Sequence, residues 1–282
     1  MKIYPPVCLN ERGNRSNNED TVFPEQPLEK DSLFMVCDGV GGQDRGEVAS
    51  QLVCTYFSEY FSKNQQEIDE NHKLGSGLQY VENKLKDYVG SKPECSEMAS
   101  TLVLVYLLRK ENKALIGWVG DSRVYHIRNG KILFQTKDHS EVQSLLDMGE
   151  ITEKEVENHP RKNVITRAIN GRNPTRIDQK IIEDIKPDDF FLVCSDGILE
   201  NLDKERIHEW FFKENQPEEI KSLVLHNALN KTKDNFSMYL IKVKSVEEIR
   251  EQKVPFYLQR GRITGFIILI IILILVLMKL VL

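Results

Sequence analysis

The chain is poor in cysteine. Five are spread over 282 residues, at positions 8, 37, 54, 95 and 194, and none forms a Cys-x-x-Cys pair or a Cys/His cluster. An odd number at wide spacing excludes a disulfide-stapled fold, argues against a structural zinc site and points to a reducing compartment. Cys37 and Cys194 each end an apolar run, where a free thiol packs as a small hydrophobe. A basic excess is also missing: 38 Lys and Arg stand against 43 Asp and Glu, a formal charge of −5. That balance argues against a nucleic-acid binder, which carries a basic domain or stripe. No repeat of 20–50 residues and no low-complexity tract occurs. With 40% hydrophobic residues the chain is neither disordered nor collagen-like. Met1-Lys-Ile-Tyr-Pro-Pro contains no apolar run, so no secretory signal is read there.

A long apolar run does occur at the other end. Residues 266–278 are unbroken apolar sequence, and 263–282 as a helix would span about 30 Å, enough to cross a bilayer. Arg260 and Arg262 flank it on one side only, which puts the preceding residues on the cytoplasmic face. Lys279 can snorkel to the far interface. From Arg250 onward five basic side chains stand against Glu251 alone, so the body before them is distinctly acidic. We expect a cell-membrane protein with a single C-terminal transmembrane helix at 263–282. Residues 246–262 read as a charged linker and 1–245 as one cytoplasmic domain.

Period-two and apolar runs predict strands at 33–37, 101–108, 113–119, 123–127, 131–135, 190–194 and 236–243. Asn129-Gly130 is a hairpin turn signal. The i, i+4 ladders Val48/Leu52/Tyr56/Tyr60 and Ala49/Val53/Phe57/Phe61 predict one amphipathic helix, and Leu78/Val81/Leu85/Tyr88 a second. A third starts at Pro217, with Glu218 and Glu219 in its first turn. Strands in hairpin succession and helices in groups, without βαβ alternation, give the class α+β.

Two segments repeat one device. Leu33-Phe-Met-Val-Cys-Asp38-Gly39 and Phe191-Leu-Val-Cys-Ser-Asp196-Gly197 are apolar strands that end in Asp-Gly. An acid at the end of a strand buried on both faces is held rigidly near the core and needs a counter-charge. Glu19, Asp20, Asp121 and Asp234 occupy similar joints. If several of these acids converge, their repulsion calls for a hard divalent cation with oxygen ligands. A single Asp-Gly is more often a plain turn.

On these residues the chain resembles the type 2C metal-dependent protein serine/threonine phosphatases, over roughly residues 8–243. Arg15-Ser-Asn-Asn-Glu19-Asp20, Val36-Cys-Asp38-Gly39-Val-Gly41-Gly42 with Gly46-Glu-Val-Ala-Ser, and Met98-Ala-Ser-Thr101 carry the resemblance. Val119-Gly120-Asp121-Ser122-Arg123, Lys137-Asp138-His139-Ser140, Asn163-Val-Ile-Thr166-Arg167, Cys194-Ser195-Asp196-Gly197 and Lys233-Asp234-Asn235 follow in the family order. Residues 141–168 are similar to the flap of bacterial members, with 148–159 a candidate gate for substrates. The resemblance implies a four-layer α-β-β-α sandwich of two antiparallel sheets flanked by helices, with residues 1–245 as the catalytic domain. It implies two metal ions, Mn²⁺ or Mg²⁺, and a third in bacterial members. Asp38 would bridge the two ions, the Gly39 carbonyl would ligate the first, and Asp196 and Asp234 the second. Glu19 and Asp20 would hold metal-bound waters, Asp121 with Asp196 would form the third site, and Arg15 would grip the phosphate. Arg15 and Asp38 are thus the expected catalytic residues.

The implied reaction is hydrolysis of phosphoserine and phosphothreonine by a metal-activated water, without a phospho-enzyme. Its partners are phosphoprotein substrates and a cognate Ser/Thr kinase that the tethered enzyme opposes. One departure stands out. Animal members often carry a histidine after the Asp-Gly as general acid, and Val40 fills that place here. His139 is the nearest alternative, weighed against a buried, hydrogen-bonded structural histidine. A cysteine-based phosphatase is excluded, because the residues six positions after the five cysteines are Asn14, Gln43, Tyr60, Thr101 and Glu200, and none is arginine. Gly120-Asp121-Ser122 resembles a lipase motif, but no Asp-x-x-His follows it. Two alternatives stay open: a docking module of the same fold without turnover, and a phosphatase of small phosphate esters.

Overall fold

The computed structural model describes residues 1–247 apart from 41–44, 70, 73 and 230. The segment from residue 248 on, with the candidate transmembrane helix 263–282, lies outside the described residues, as do Gly41 and Gly42 of the second motif. Among the described residues no helix is long and apolar enough to cross a membrane. Met1–Glu247 is one structural unit.

Among the described residues the strands are β1 (Lys2–Ile3), β2 (Val7–Glu11), β3 (Asp20–Phe23), β4 (Leu33–Val40), β5 (Ala99–Ser100), β6 (Leu102–Leu108), β7 (Lys113–Val119), β8 (Arg123–Arg128), β9 (Lys131–Gln135), β10 (Asp178–Ile182), β11 (Phe190–Cys194) and β12 (Phe236–Ser245). Helices α1 (Gly46–Lys63) and α2 (Gly75–Ser91) lie between β4 and β5. Helices α3 (Glu141–Asp147) and α4 (Glu153–Asn158) lie between β9 and β10, and α5 (Asp196–Leu199), α6 (Lys204–Trp210) and α7 (Pro217–Ala228) between β11 and β12. One sheet runs β1-β12-β11-β8-β9, with β2 also on β12; the other runs β10-β7-β6-β4-β3, with β5 on β4.

Alternation along the strands builds the layers. On β11, Phe191 and Val193 pack into the inter-sheet core with Phe34, Val36, Val103 and Tyr239. Phe190, Leu192 and Cys194 point the other way, onto Ile207, Trp210, Ile220 and Val224 of α6 and α7. Met35, Cys37 and Leu104 on the second sheet meet Val53 and Phe57 of α1 and Leu78, Val81 and Leu85 of α2. A strand covered on both faces has no polar side to spare, which is why 33–37 and 190–194 read as continuous apolar runs. The α+β class and the pair of antiparallel sheets between helices are as expected.

The four strands of 101–135 depart from a simple meander. β6 and β7 pair in one sheet, β8 and β9 in the other, and the chain crosses between sheets at 120–122. Gly120 takes φ +105° there, a conformation that favours glycine. The crossover delivers Asp121 to the same end of the sandwich as the ends of β4 and β11.

Candidate active site

Register brings the acids together. Asp20, first in β3, is paired directly with Asp38 near the end of β4. On the other sheet β11 runs antiparallel to β12, with Cys194 opposite Met238, so Asp196 just after β11 and Asp234 just before β12 share that end. Asp38 is fixed by its backbone: its N–H donates to Thr101 Oγ1 at 3.0 Å, and its carbonyl accepts from Thr101 N–H at 2.8 Å and Ser100 Oγ at 3.1 Å. Asp20 Oδ2 accepts from Ser195 Oγ at 2.7 Å, a bond that joins the two sheets. A Cβ on Gly39 would collide with the Gly46 carbonyl, so glycine is what lets α1 begin against the end of β4. Gly197 is pressed in the same way against the carbonyl of Asn235.

Burial pushes the Asp38 carboxyl well above the ordinary range, and Asp20, Asp196, Asp121 and Asp234 add their repulsion. Asp20 is pushed up to about 7, by burial first and then by Asp196 and Asp234, against the lowering effect of the Ser237 and Ser195 hydroxyls. Asp121 rises to about 7 through burial, Asp196 and Asp138. Asp196 rises to about 6 through burial and Asp234. Asp20 Oδ1 and Glu47 Oε2 are buried and have no hydrogen-bond partner among the described residues. Buried like charges with an unpartnered oxygen, in an all-oxygen donor set, match what a hard divalent cation requires. The match is in donor chemistry: among the described residues no three of these acids close around a single point as an ion would hold them.

Arg15 Nη2 lies 2.6 Å from Asp234 Oδ2, with its side chain 56% exposed. Glu19 sits at the foot of α1, its carbonyl accepting from Gly39 N–H at 3.1 Å and Ser50 Oγ at 2.6 Å. His139 is buried, and its ring lies nearly parallel to Trp118. Its Nδ1 accepts from Gly120 N–H at 3.1 Å, and its Nε2 faces Asp178 Oδ2 at 3.2 Å and Arg167 Nη1 at 3.1 Å. Burial lowers its pKa. His139 therefore buttresses the turn that carries Asp121, which is the structural alternative for this residue. Val40 ends β4 opposite Ala99 and offers no proton. In the flap segment Met148 is exposed, and Glu153 on α4 meets Lys204 on α6 at 3.3 Å.

Several polar side chains given no role from the sequence prove central to the frame. Ser195 Oγ donates to Asp20 Oδ2 and accepts from Ser237 N–H at 3.0 Å, Thr101 Oγ1 meets Ser122 Oγ at 2.8 Å, and Arg123 grips Asp138 through two contacts of 2.7 and 2.6 Å. Asn235 reaches three loop backbone groups at once. All but Ser237 lie inside the quoted motifs, and that membership was the available signal.

The protein phosphatase 2C profile matches residues 10–230. This chain belongs to the protein phosphatase 2C family. It is similar to the serine/threonine phosphatase stp of Listeria innocua serovar 6a, with 29% identity over 244 residues, 84% of this chain and 94% of that one. Its fold is similar to that of the Mycobacterium tuberculosis serine/threonine phosphatase PstP/Ppp, at a TM-score of 0.74 and 28% identity, covering 86% of this chain and all of that one. It is also similar to the catalytic domain of PstP in complex with two manganese ions, at a TM-score of 0.72 and 27% identity, covering 87% of this chain and all of that one. As a protein phosphatase 2C, the chain is a serine/threonine phosphoprotein phosphatase, a hydrolase of phosphate monoesters.

Proposed function

We propose that this protein phosphatase 2C depends on divalent cations, Mn²⁺ or Mg²⁺, and acts at the cytoplasmic face of the cell membrane against a protein kinase. The metal reading rests on one observation: four carboxyls buried beside one another are all pushed above their ordinary range, and Asp20 Oδ1 has no hydrogen-bond partner among the described residues. Asp38 would be shared by two ions, with the Gly39 carbonyl on the first and Asp196 and Asp234 on the second. Glu19 and Asp20 would stand behind them, and Asp121 with Asp196 would hold a third. Such cations, when bound, lower the pKa of water and neutralise the phosphate dianion.

The chain's own groups do the rest. Arg15 presents a planar fork of donors matched to phosphate geometry. Its ion pair with Asp234 holds the fork beside the acids. The Thr101 and Ser100 bonds to the Asp38 backbone fix that carboxylate so that binding pays little reorganisation. The apolar run 263–282, flanked by Arg260 and Arg262, supports the membrane reading, and tethering raises the effective concentration of the enzyme toward neighbouring phosphoproteins.

The deciding experiment is phosphate release from a phosphothreonine peptide by the full chain in Mn²⁺ and in EDTA, beside Asp196→Asn. Turnover in Mn²⁺ that EDTA abolishes, and that Asp196→Asn lowers by about a hundredfold or more, is expected. Undiminished turnover in EDTA would refute the metal dependence.

A further inference from the structure

Asn235 is almost fully buried, yet its side-chain amide is spent entirely on the backbone of one distant loop. Its Oδ1 accepts from Glu19 N–H at 2.8 Å, and its Nδ2 donates to the carbonyls of Arg12 and Asn17, each at 2.8 Å. The three contacts straddle Arg15. They fix the loop on both sides of it, from a point more than two hundred residues away in sequence. The backbone N–H of Asn235 also donates to Asp234 Oδ1 at 2.8 Å, while Asp234 Oδ2 holds Arg15 at 2.6 Å. One residue thus sets the loop that carries the guanidinium and the carboxylate that the guanidinium pairs with.

We propose that Asn235 is the positioning residue for Arg15, and that its amide places the guanidinium where it receives the phosphate group. The proposal rests on the assignment of Arg15 to phosphate made above. Arg15 itself is largely exposed and, among the described residues, the Asp234 ion pair is its one charged contact, which alone does not fix its direction. Long, exposed side chains lose entropy when they are held in one geometry. A buried amide with both donors and one acceptor engaged is a rigid fixture, because leaving those loop groups unmet would cost their desolvation. Asn235 touches no substrate in this arrangement, and its effect passes through the loop.

The test is a double-mutant cycle on the full chain, purified in mild detergent with Mn²⁺ present. Asn235→Ala, Arg15→Ala and the double variant are compared in the binding of inorganic phosphate by calorimetry and in kcat and KM for a phosphothreonine peptide. Each single variant is expected to weaken phosphate binding about tenfold, and the double variant to be within twofold of Arg15→Ala alone, the mark of two residues acting as one unit. Losses that multiply to about a hundredfold, or phosphate binding unchanged in Asn235→Ala, would overturn the proposal. If Asn235→Ala does not fold, Asn235→Ser, which keeps an oxygen and drops the paired donors, enters the same cycle. Phosphate binding needs no turnover. A wild-type chain that binds phosphate through Arg15 but hydrolyses nothing would therefore sink the proposed reaction and leave this inference standing.

Discussion

Asp20, Asp121 and Asp196 protonate near neutrality in the folded chain, at about 7, 7 and 6, against an ordinary carboxylate value of 3.8. The folded state therefore holds protons that the unfolded chain has released. Stability contributed by protonation is complete below about pH 4 and is lost as pH climbs through 6 and 7. In EDTA the melting temperature should fall by roughly 10 °C or more between pH 5 and pH 7.5. Asp196→Asn should flatten that slope and Mn²⁺ should abolish it. A rise in melting temperature over the same interval in EDTA would show that these carboxyls are not the controlling groups. Asp38 and Asp196 were legible in the sequence, because a strand apolar on both faces leaves its terminal acid nowhere to go but the sandwich end. Asn235 was visible as a member of the quoted motif but its role was not, because residue type does not say which backbone groups an amide will satisfy.

Among the elements, the passage from β7 to β8 shows where local pattern runs out. The alternation in 101–135 identifies four strands but does not say that the pairs belong to different sheets, since each hairpin looks alike locally. The discriminating features are the left-handed Gly120 and the imidazole that accepts its N–H. The strands β1, β3 and β5, of two to four residues, are too short to show a period, and β2 and β10, VCLNE and DQKII, carry too few apolar residues to stand out; all five appear only through their pairing partners. If His139 holds the Asp121 turn, His139→Ala should lower kcat several-fold while leaving the alkaline limb of the pH–rate profile where it was. Disappearance of that limb would instead make His139 the proton donor.

For the molecule as a whole, the proposed division is between a catalytic sandwich and a membrane tether. Removing residues 263–282 should move the protein from the membrane pellet to the soluble fraction and leave turnover of a soluble phosphothreonine peptide unchanged. It should also diminish dephosphorylation of membrane-neighbouring substrates in cells. If the truncated chain stayed in the pellet and cell phosphorylation did not change, the tethering idea would fail. Apolar periodicity and element order gave the α+β class and the family resemblance the four-layer order, whereas the membrane arrangement rests on composition alone.

The bond from Ser195 to Asp20 has a mechanical meaning. Asp20 and Asp38 belong to one sheet, Asp196 and Asp234 flank strands of the other, and this hydroxyl is a direct link between them. In the proposed reading, chemistry takes place at the open seam of the sandwich itself. Whatever bridges the seam also laces the two halves together, so affinity at this end and resistance to unfolding are one quantity measured in two ways. Inhibitors that bind this end of the folded sandwich could therefore be ranked by thermal shift at a common concentration, whichever sheet they grip.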